Sequence, residues 1–184
     1  MTFDAVPAAK LVQATENDGQ SSPLVLPLAD LDRGRLALAG GKGANLGELV
    51  RAGFRVPEGF CVTTRAYEIV ADATDLAPVF AGLATSAPTD AARLDELAAT
   101  ARERLLATAV PEEIRTAIAE AYVALGQGQP VPVAVRSSAT AEDLPGASFA
   151  GQQDTYLNVV GAAAVVDAVQ RCCCLLYTSD AADE

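Results

Sequence analysis

A helical stretch set between segments of strand character constrains the fold most. Across residues 75–126 apolar side chains recur at helical spacing, most clearly at Ile114 and Ile118. Apolar runs typical of strands, PLVLP and GFCVTT, precede this stretch, and another, VPVAVRSS, follows it. The two kinds of pattern are intermixed along the chain and no internal repeat is present. We therefore predict an α+β fold.

The composition excludes several classes of function. The chain has 184 residues, with 13 basic against 24 acidic residues and a formal net charge of −11. A protein that binds nucleic acid through phosphate contacts needs clustered Lys and Arg, so we predict no nucleic-acid partner. The absence of histidine excludes a histidine general base, an imidazole metal ligand or a phosphohistidine within this chain. Three of the four cysteines are consecutive and no CxxC pair exists, which indicates neither a disulfide framework nor a zinc site.

Neither a membrane span nor a secretory signal is indicated by the sequence. No segment reaches ~18 consecutive apolar residues. The first residues, MTFDAVPAAK, lack a basic flank followed by an apolar run. We expect a cytoplasmic protein with no membrane partner, and the sequence leaves the oligomeric state open.

The predicted organisation has three parts. Residues 1–22 are short of large apolar side chains and end in turn formers, so we predict a loosely ordered lead-in. Residues 23–173 carry the strand and helix patterns of a folded domain. Residues 174–184, CLLYTSDAADE, resemble a translated transposase adaptor from library preparation, and we predict that they are an artefactual tail. The alternative is a genuine, divergent C-terminus.

The first stretch that could bind a ligand is AGGKGANLGEL. In it Gly40, Gly41 and Gly43 surround Lys42 before a predicted helix. Glycines let backbone N–H groups approach an anion, the helix N-terminus adds partial positive charge, and the lysine adds an ammonium. This pattern suits a polyphosphate site. It is not a Walker A loop, because a glycine follows the lysine where Ser or Thr is required. From the pattern alone, a plain glycine-rich turn with a solvated lysine is the more common interpretation.

The helix that follows the glycines is predicted to be amphipathic. Leu46, Leu49, Val50 and Phe54 fall on one stripe at helical spacing. Gly53 is typical of a position just after the end of a helix.

The second stretch is VAVRSSATAEDLPGASFAGQQDTYLN. Its apolar strand ends at Arg136, whose planar, permanently charged guanidinium matches phosphate oxygens, and a hydroxyl-rich run follows. The small-residue loop ASFAGQ is suited to lie over a polyphosphate and donate backbone N–H groups. The alternative is an ordinary surface turn in which Arg136 pairs with Glu142 or Asp143.

Together the two stretches resemble a known family. GGKGANLGELVRAGFRVPEGFCVTT, followed after a helical insert by VAVRSSATAEDLPGASFAGQQDTYLNV, is similar to the N-terminal nucleotide-binding region of the PEP-utilising dikinases. These include phosphoenolpyruvate synthase (pyruvate, water dikinase), pyruvate phosphate dikinase and the rifampin phosphotransferases. The resemblance covers residues 24–171 and implies part of an ATP-grasp-like domain. It implies ATP binding by Lys42 and Arg136, with Gly151 over the nucleotide and Thr155 as a further contact.

The resemblance also implies a reaction. In this family a phosphoryl group passes from ATP to a histidine on a swivelling domain, and then to pyruvate or another acceptor. The chain has no histidine, and the family's Mg²⁺ carboxylates are expected beyond residue 184, so we predict no catalytic residue and no metal ligand here. We expect a fragment of an ATP-dependent phosphotransferase of the phosphoenolpyruvate synthase type, with weak or absent ATP binding and no turnover by itself. The alternatives are a rifampin or other small-molecule phosphotransferase, and a non-catalytic nucleotide-binding module.

Overall fold

The computed structural model of the chain describes residues 22–87, 89–138 and 155–174. Within them helices and short strands are intermixed, which confirms the α+β prediction. The strands are β1 (Val25–Pro27), β2 (Phe60–Val62), β3 (Val133–Arg136) and β4 (Thr155–Val159). The helices are α1 (Leu36–Arg51), α2 (Thr64–Ala73), α3 (Ala77–Thr85), α4 (Ala91–Ala107), α5 (Glu112–Leu125) and α6 (Ala162–Cys174).

The strands form two separate antiparallel pairs. In the first pair β1 lies beside β2, with Leu26 opposite Cys61. In the second pair β3 lies beside β4, and the register shifts between Val133 and Val135. Asn158 has a φ of 55° at this irregularity, a left-handed conformation that Asn tolerates better than most residues. The pairing of β3 with β4 carries the second sequence motif to the edge of the domain.

The stretch predicted to be helical forms α3, α4 and α5, which confirms the helical insert. Its buried side chains, with those of α2 and α6, form the larger hydrophobic core. The members buried most completely include Leu105, Ile114 and Ile118, each at most 1% exposed. Burial of side chains of this size contributes ~1.5–3 kcal/mol each. The insert therefore stabilises the domain through a core that it shares with α2, α6 and the valines of β3.

Helix α6 closes this core against the insert. The Gln170 amide nitrogen donates to the carbonyl oxygens of Leu105 and Thr108, at 2.8 Å in both cases. These carbonyls lie at the end of α4, where the helix itself offers no donor. Helix α6 continues through Cys174, the first residue of the predicted tail, and residues 175–184 lie outside the described residues.

The buried face of α1 consists of small residues rather than of the leucine stripe. Gly43 and Gly47 are buried, whereas Leu49 is 41% and Phe54 65% exposed. A Cβ at Gly47 would lie 2.5 Å from the carbonyl carbon of Leu31. Because the helix backbone packs directly on this neighbouring chain segment, the larger side chains point away from it.

The described part of the chain contains no helix with the length and apolar character that crossing a membrane requires.

Candidate functional site

The glycine-rich stretch interrupts helix α1 instead of preceding it. Residues 36–39 form a helical turn, and Gly40 then leaves the helical conformation with a φ of 69° and a ψ of 174°. Glycine adopts such a positive φ at little cost. Gly41, Lys42 and Gly43 form the first turn of the helix that continues to Arg51. Lys42 therefore lies at a helix N-terminus, as the sequence predicted, where backbone amides carry partial positive charge.

A serine from the second stretch joins this helix start. The Ser138 hydroxyl accepts a hydrogen bond from the Gly43 amide at 3.0 Å and donates one to the Ala39 carbonyl at 2.7 Å. A Cβ at Gly40 would lie 2.5 Å from Ser138 Oγ and closer still to the Ser138 carbonyl oxygen. The glycine therefore allows two backbone segments to approach each other closely. Two motifs that are far apart in the sequence meet at this contact.

Arg136 lies at the end of β3, two residues before this serine. It is the direct partner of Thr155 on β4, and both residues are exposed. The alternation of half-buried and exposed positions along β3 places Val133 and Val135 toward the core and Arg136 away from it. The pairing of the strands thus brings two of the predicted site residues together.

A cavity of about 2030 Å³ connects the two stretches. Lys42 and Arg136 line it together with Ser138, and the exposed leucines of α1, Leu46 and Leu49, contribute apolar surface. Such a mixture of apolar walls and few polar groups is typical of small-molecule sites. The structure therefore places both predicted phosphate-binding cations on one groove, whereas Thr155 pairs with Arg136 without lining the cavity as the described residues define it.

The fourth predicted site residue, Gly151, lies outside the described residues. The loop that contains it, and the carboxylates Glu142 and Asp143 that were alternative partners for Arg136, lie outside them as well.

The thiol of Cys61 lies next to the residues where Gly40 interrupts helix α1. Burial raises the pKa of the Cys61 thiol to about 11. Its Sγ lies 3.6 Å from the Ala39 carbonyl oxygen, the same oxygen that accepts from Ser138. Cys61 also packs against the small core formed by Leu26, Leu31 and Ala39. Cys61 thus behaves as a small, largely buried apolar residue of β2.

The described residues contain no cluster of metal-ligating side chains. Within residues 22–87, 89–138 and 155–174, no three Cys, Asp or Glu side chains lie close enough together to hold a metal. Magnesium takes oxygen ligands, above all carboxylates. The phosphate binding considered for Lys42 and Arg136 therefore involves no metal held by these residues.

The role of Ser138 could not be read from the sequence. The residue belongs to a hydroxyl-rich run after Arg136, and nothing in that run singles it out. The only available signal was indirect, since a helix that starts at glycines has no side-chain cap of its own.

A helix start bearing a lysine and a strand end bearing an arginine, on one groove, are the parts expected of a domain that binds phosphorylated nucleotides. The chain belongs to the pyruvate phosphate dikinase AMP/ATP-binding domain family, which matches residues 36–183.

Several relatives share this region. The chain is 48% identical to the rifampicin phosphotransferase of Streptomyces sviceus over 159 residues, which are 85% of this chain and 18% of that protein. It is 47% identical to a probable phosphoenolpyruvate synthase of Methanothermobacter thermautotrophicus, over 83% of this chain and 23% of that protein. It is 49% identical to a probable phosphoenolpyruvate synthase of Archaeoglobus fulgidus, over 84% of this chain and 21% of that protein. The chain thus spans about a fifth of the length of these phosphotransferase relatives.

Proposed function

We propose that this chain forms the first part of the ATP-binding domain of a longer phosphotransferase, and that Lys42 and Arg136 hold the phosphates of ATP. The observation that carries the proposal is their placement on one groove, on two segments joined through Ser138. Gly151 and Thr155 are proposed as further nucleotide contacts. The register of β3 and β4 supports Thr155, because it places this residue beside Arg136.

Two cations on different segments suit phosphoryl transfer. The transition state is loose and spreads negative charge over the phosphoryl oxygens, so catalysis depends on positive charge and on positioning. Lys42 contributes a compact ammonium, and Arg136 contributes a planar fork that donates two parallel hydrogen bonds. Neither residue forms a covalent intermediate in this proposal, and both are binding residues.

The rest of the reaction is assigned to parts of a longer protein. A phosphoryl group of ATP passes to a histidine nitrogen as the P–O bond to the rest of the nucleotide breaks and that nucleotide leaves; this chain contains no histidine. Pyruvate then accepts the group, and phosphoenolpyruvate is the product. We propose that the carboxylates for Mg²⁺ also come from further along that protein, that the complete domain is ATP-grasp-like, and that the protein is cytoplasmic.

Rifampicin is the second candidate acceptor. The proteins named rifampicin phosphotransferase and those named phosphoenolpyruvate synthase are almost equally similar to this chain, at 48% and 47% identity. The nucleotide site is the same in both proposals. Only the acceptor-binding part of the protein separates them.

The deciding experiment starts from the genomic DNA after codon 173, which also shows whether residues 174–184 are encoded there. The complete reading frame is expressed, and ATP consumption is measured with pyruvate and, separately, with rifampicin. We expect phosphoenolpyruvate to form from pyruvate, and Lys42→Ala and Arg136→Ala to raise the KM for ATP. Phosphorylation of rifampicin alone would favour the second candidate. A reading frame that stops at residue 184, with measurable ATP affinity and no turnover, would favour a non-catalytic module. ATP-dependent phosphorylation of pyruvate by the purified 184-residue chain would contradict the proposal.

A further inference from the structure

The start of the helix that carries Lys42 is capped by a residue from another segment. Gly40, at the position before the first helical residue, has no side chain with which to cap the free amides of the first turn. Ser138 supplies the missing acceptor, because its hydroxyl receives the Gly43 amide at 3.0 Å. The same hydroxyl donates to the Ala39 carbonyl at 2.7 Å, which terminates the preceding helical turn. One side chain thus satisfies backbone groups on both sides of the break.

This contact also joins the two segments that carry the proposed phosphate-binding cations. Ser138 follows Arg136 by two residues, and its partner Gly43 follows Lys42 by one. The close approach of the Gly40 backbone to the Ser138 carbonyl leaves no space for a side chain between the segments. A shift of the helix start relative to the strand end would therefore break both hydrogen bonds.

We propose that Ser138 is a positioning residue for nucleotide binding: its hydroxyl holds the Lys42 helix start in register with the end of the Arg136 strand. It acts through the helix start and is not proposed to touch the nucleotide. The inference rests on the proposed function of Lys42 and Arg136, and it adds the element that couples them. The Cys61 thiol does not replace it, since the thiol contacts only the Ala39 carbonyl, whereas the Gly43 amide donates to Ser138.

The test compares Ser138→Ala with Ser138→Thr in the full-length protein. The threonine variant keeps the hydroxyl and separates its loss from a general effect of substitution. Ser86→Ala is the matched control, because the Ser86 hydroxyl also donates to a backbone carbonyl, that of Gly82 at 2.8 Å. Ser86 directly follows α3 and does not line the groove. Hydrogen exchange is followed by mass spectrometry on peptides that contain Gly43, and the KM for ATP is measured for each variant.

We expect Ser138→Ala to speed exchange in the Gly43 peptide and to raise the KM for ATP about tenfold, as loss of a buried hydrogen bond predicts. Ser138→Thr should keep the exchange rate of the Gly43 peptide and the KM for ATP close to those of the parent protein. Ser86→Ala should change neither quantity. In a Lys42→Ala background, adding Ser138→Ala should raise KM by less than about twofold, because the lysine it positions is gone.

Two results overturn the inference. One is an unchanged KM for ATP in Ser138→Ala while Lys42→Ala and Arg136→Ala both raise it. The other is a full additional loss from Ser138→Ala in the Lys42→Ala background, which would indicate a purely structural serine. If Lys42→Ala and Arg136→Ala leave the KM unchanged, the proposed function fails instead. A Ser138→Ala protein that does not fold also counts against positioning, because it indicates a purely structural serine.

Discussion

Arg136 and Thr155 are direct partners across the antiparallel pair of β3 and β4. Their pairing depends on the irregularity further along the same ladder, where Asn158 adopts a positive φ. A regular ladder starting from the pairing of Val133 with Val159 would place a different residue opposite Arg136. The register shift between Val133 and Val135 therefore determines which residue of β4 lies opposite Arg136.

Arg136→Ala is expected to raise the KM for ATP at least tenfold in the full-length protein. The variant loses a charged fork that gives charge-assisted hydrogen bonds to phosphate, and such bonds are worth ~1.5–3 kcal/mol each. Arg136→Lys should recover only part of this loss, since an ammonium cannot donate two parallel hydrogen bonds. Steady-state kinetics at saturating acceptor measure the effect.

The control for Arg136 is Arg115→Ala. Arg115 is a solvent-exposed residue of α5 that pairs with Glu112 at 3.3 Å, away from the groove. Surface ion pairs of this kind contribute ~0–1 kcal/mol, so the KM for ATP should stay within experimental error. Equal kinetics for the Arg136→Ala and Arg115→Ala proteins would remove Arg136 from the nucleotide site.

Thr155→Val is expected to raise the KM for ATP about two- to fivefold while leaving the fold intact. Valine keeps the branched shape that suits a strand and removes only the hydroxyl, whose single neutral hydrogen bond is worth ~0.5–1.5 kcal/mol. Thr155→Ser, which keeps the hydroxyl, is the companion variant. An effect of Thr155→Ser as large as that of Thr155→Val would point to packing rather than to nucleotide contact.

Gly40→Ala is expected to cost more stability than Gly53→Ala, although both glycines have a positive φ, of 69° and 78°. Gly40 also has a ψ of 174°, a combination of angles that is almost restricted to glycine and costs other residues on the order of 1–3 kcal/mol. At Gly53 a Cβ would meet nothing within 4 Å, whereas at Gly40 it would overlap the Ser138 backbone. Gly40→Ala should therefore lose about 3 kcal/mol or more in urea unfolding, by analogy with other severe steric changes. Equal losses for the two variants would mean that the approach of Ser138 to Gly40 is not tight in solution.

The helical insert and the positions of strand segments along the chain could be predicted because each depends on local pattern. Ile114 and Ile118 repeat at helical spacing, and their burial follows directly from that repeat. The packing of α1 could not be predicted in the same way. Its leucine stripe is exposed, because the glycine face allows a backbone contact with Leu31 that no hydropathy pattern encodes.

The candidate site also combines features that local sequence predicts with features that depend on packing. Lys42 and Arg136 could be proposed from their residue types and neighbours, since charge beside glycines or at a strand end suits phosphate. The hydrogen bond that joins Gly43 to Ser138 depends on how two distant segments pack. Side chains whose function is to bridge segments are identified only when the fold is known.

Tyr122→Phe is expected to lower the stability of the helical core by about 1–3 kcal/mol, because it leaves buried backbone groups without a partner. The Tyr122 hydroxyl donates to the Val131 carbonyl at 2.7 Å and accepts from the amides of Val131 and Gly161 at 3.0 and 2.9 Å. It thereby ties α5 to the segment before β3 and to the turn before α6. Thermal unfolding should show a lower Tm, whereas Thr100→Ala, which removes a hydroxyl bonded on the exposed face of α4, should change it little. A Tm for Tyr122→Phe equal to that of the parent chain would rule out this tie.

The stability of the chain is expected to fall between pH 9.0 and about 11 in a manner that depends on Cys61. Burial raises the pKa of this thiol from its usual 9.0 to about 11. Below pH 9.0 the thiol is protonated in both the folded and the unfolded chain, so it adds no pH dependence. As the pH rises through that window, the unfolded chain releases the proton and the folded chain retains it. The folded state therefore loses up to ~1.4 kcal/mol per pH unit from this group.

Cys61→Ala isolates this contribution, because the two proteins share every other ionisable group. Urea unfolding of both proteins, followed by circular dichroism below and within the window, gives the difference in unfolding free energy at each pH. Below pH 9.0 this difference should be constant and reflect only the lost packing of the thiol. Within the window the unfolding free energy of the parent protein should fall relative to that of the alanine variant, since alanine has no proton to release. A difference that stays constant across the whole window would place the Cys61 thiol in contact with water. The small core of Leu26, Leu31 and Ala39 would then be accessible to solvent.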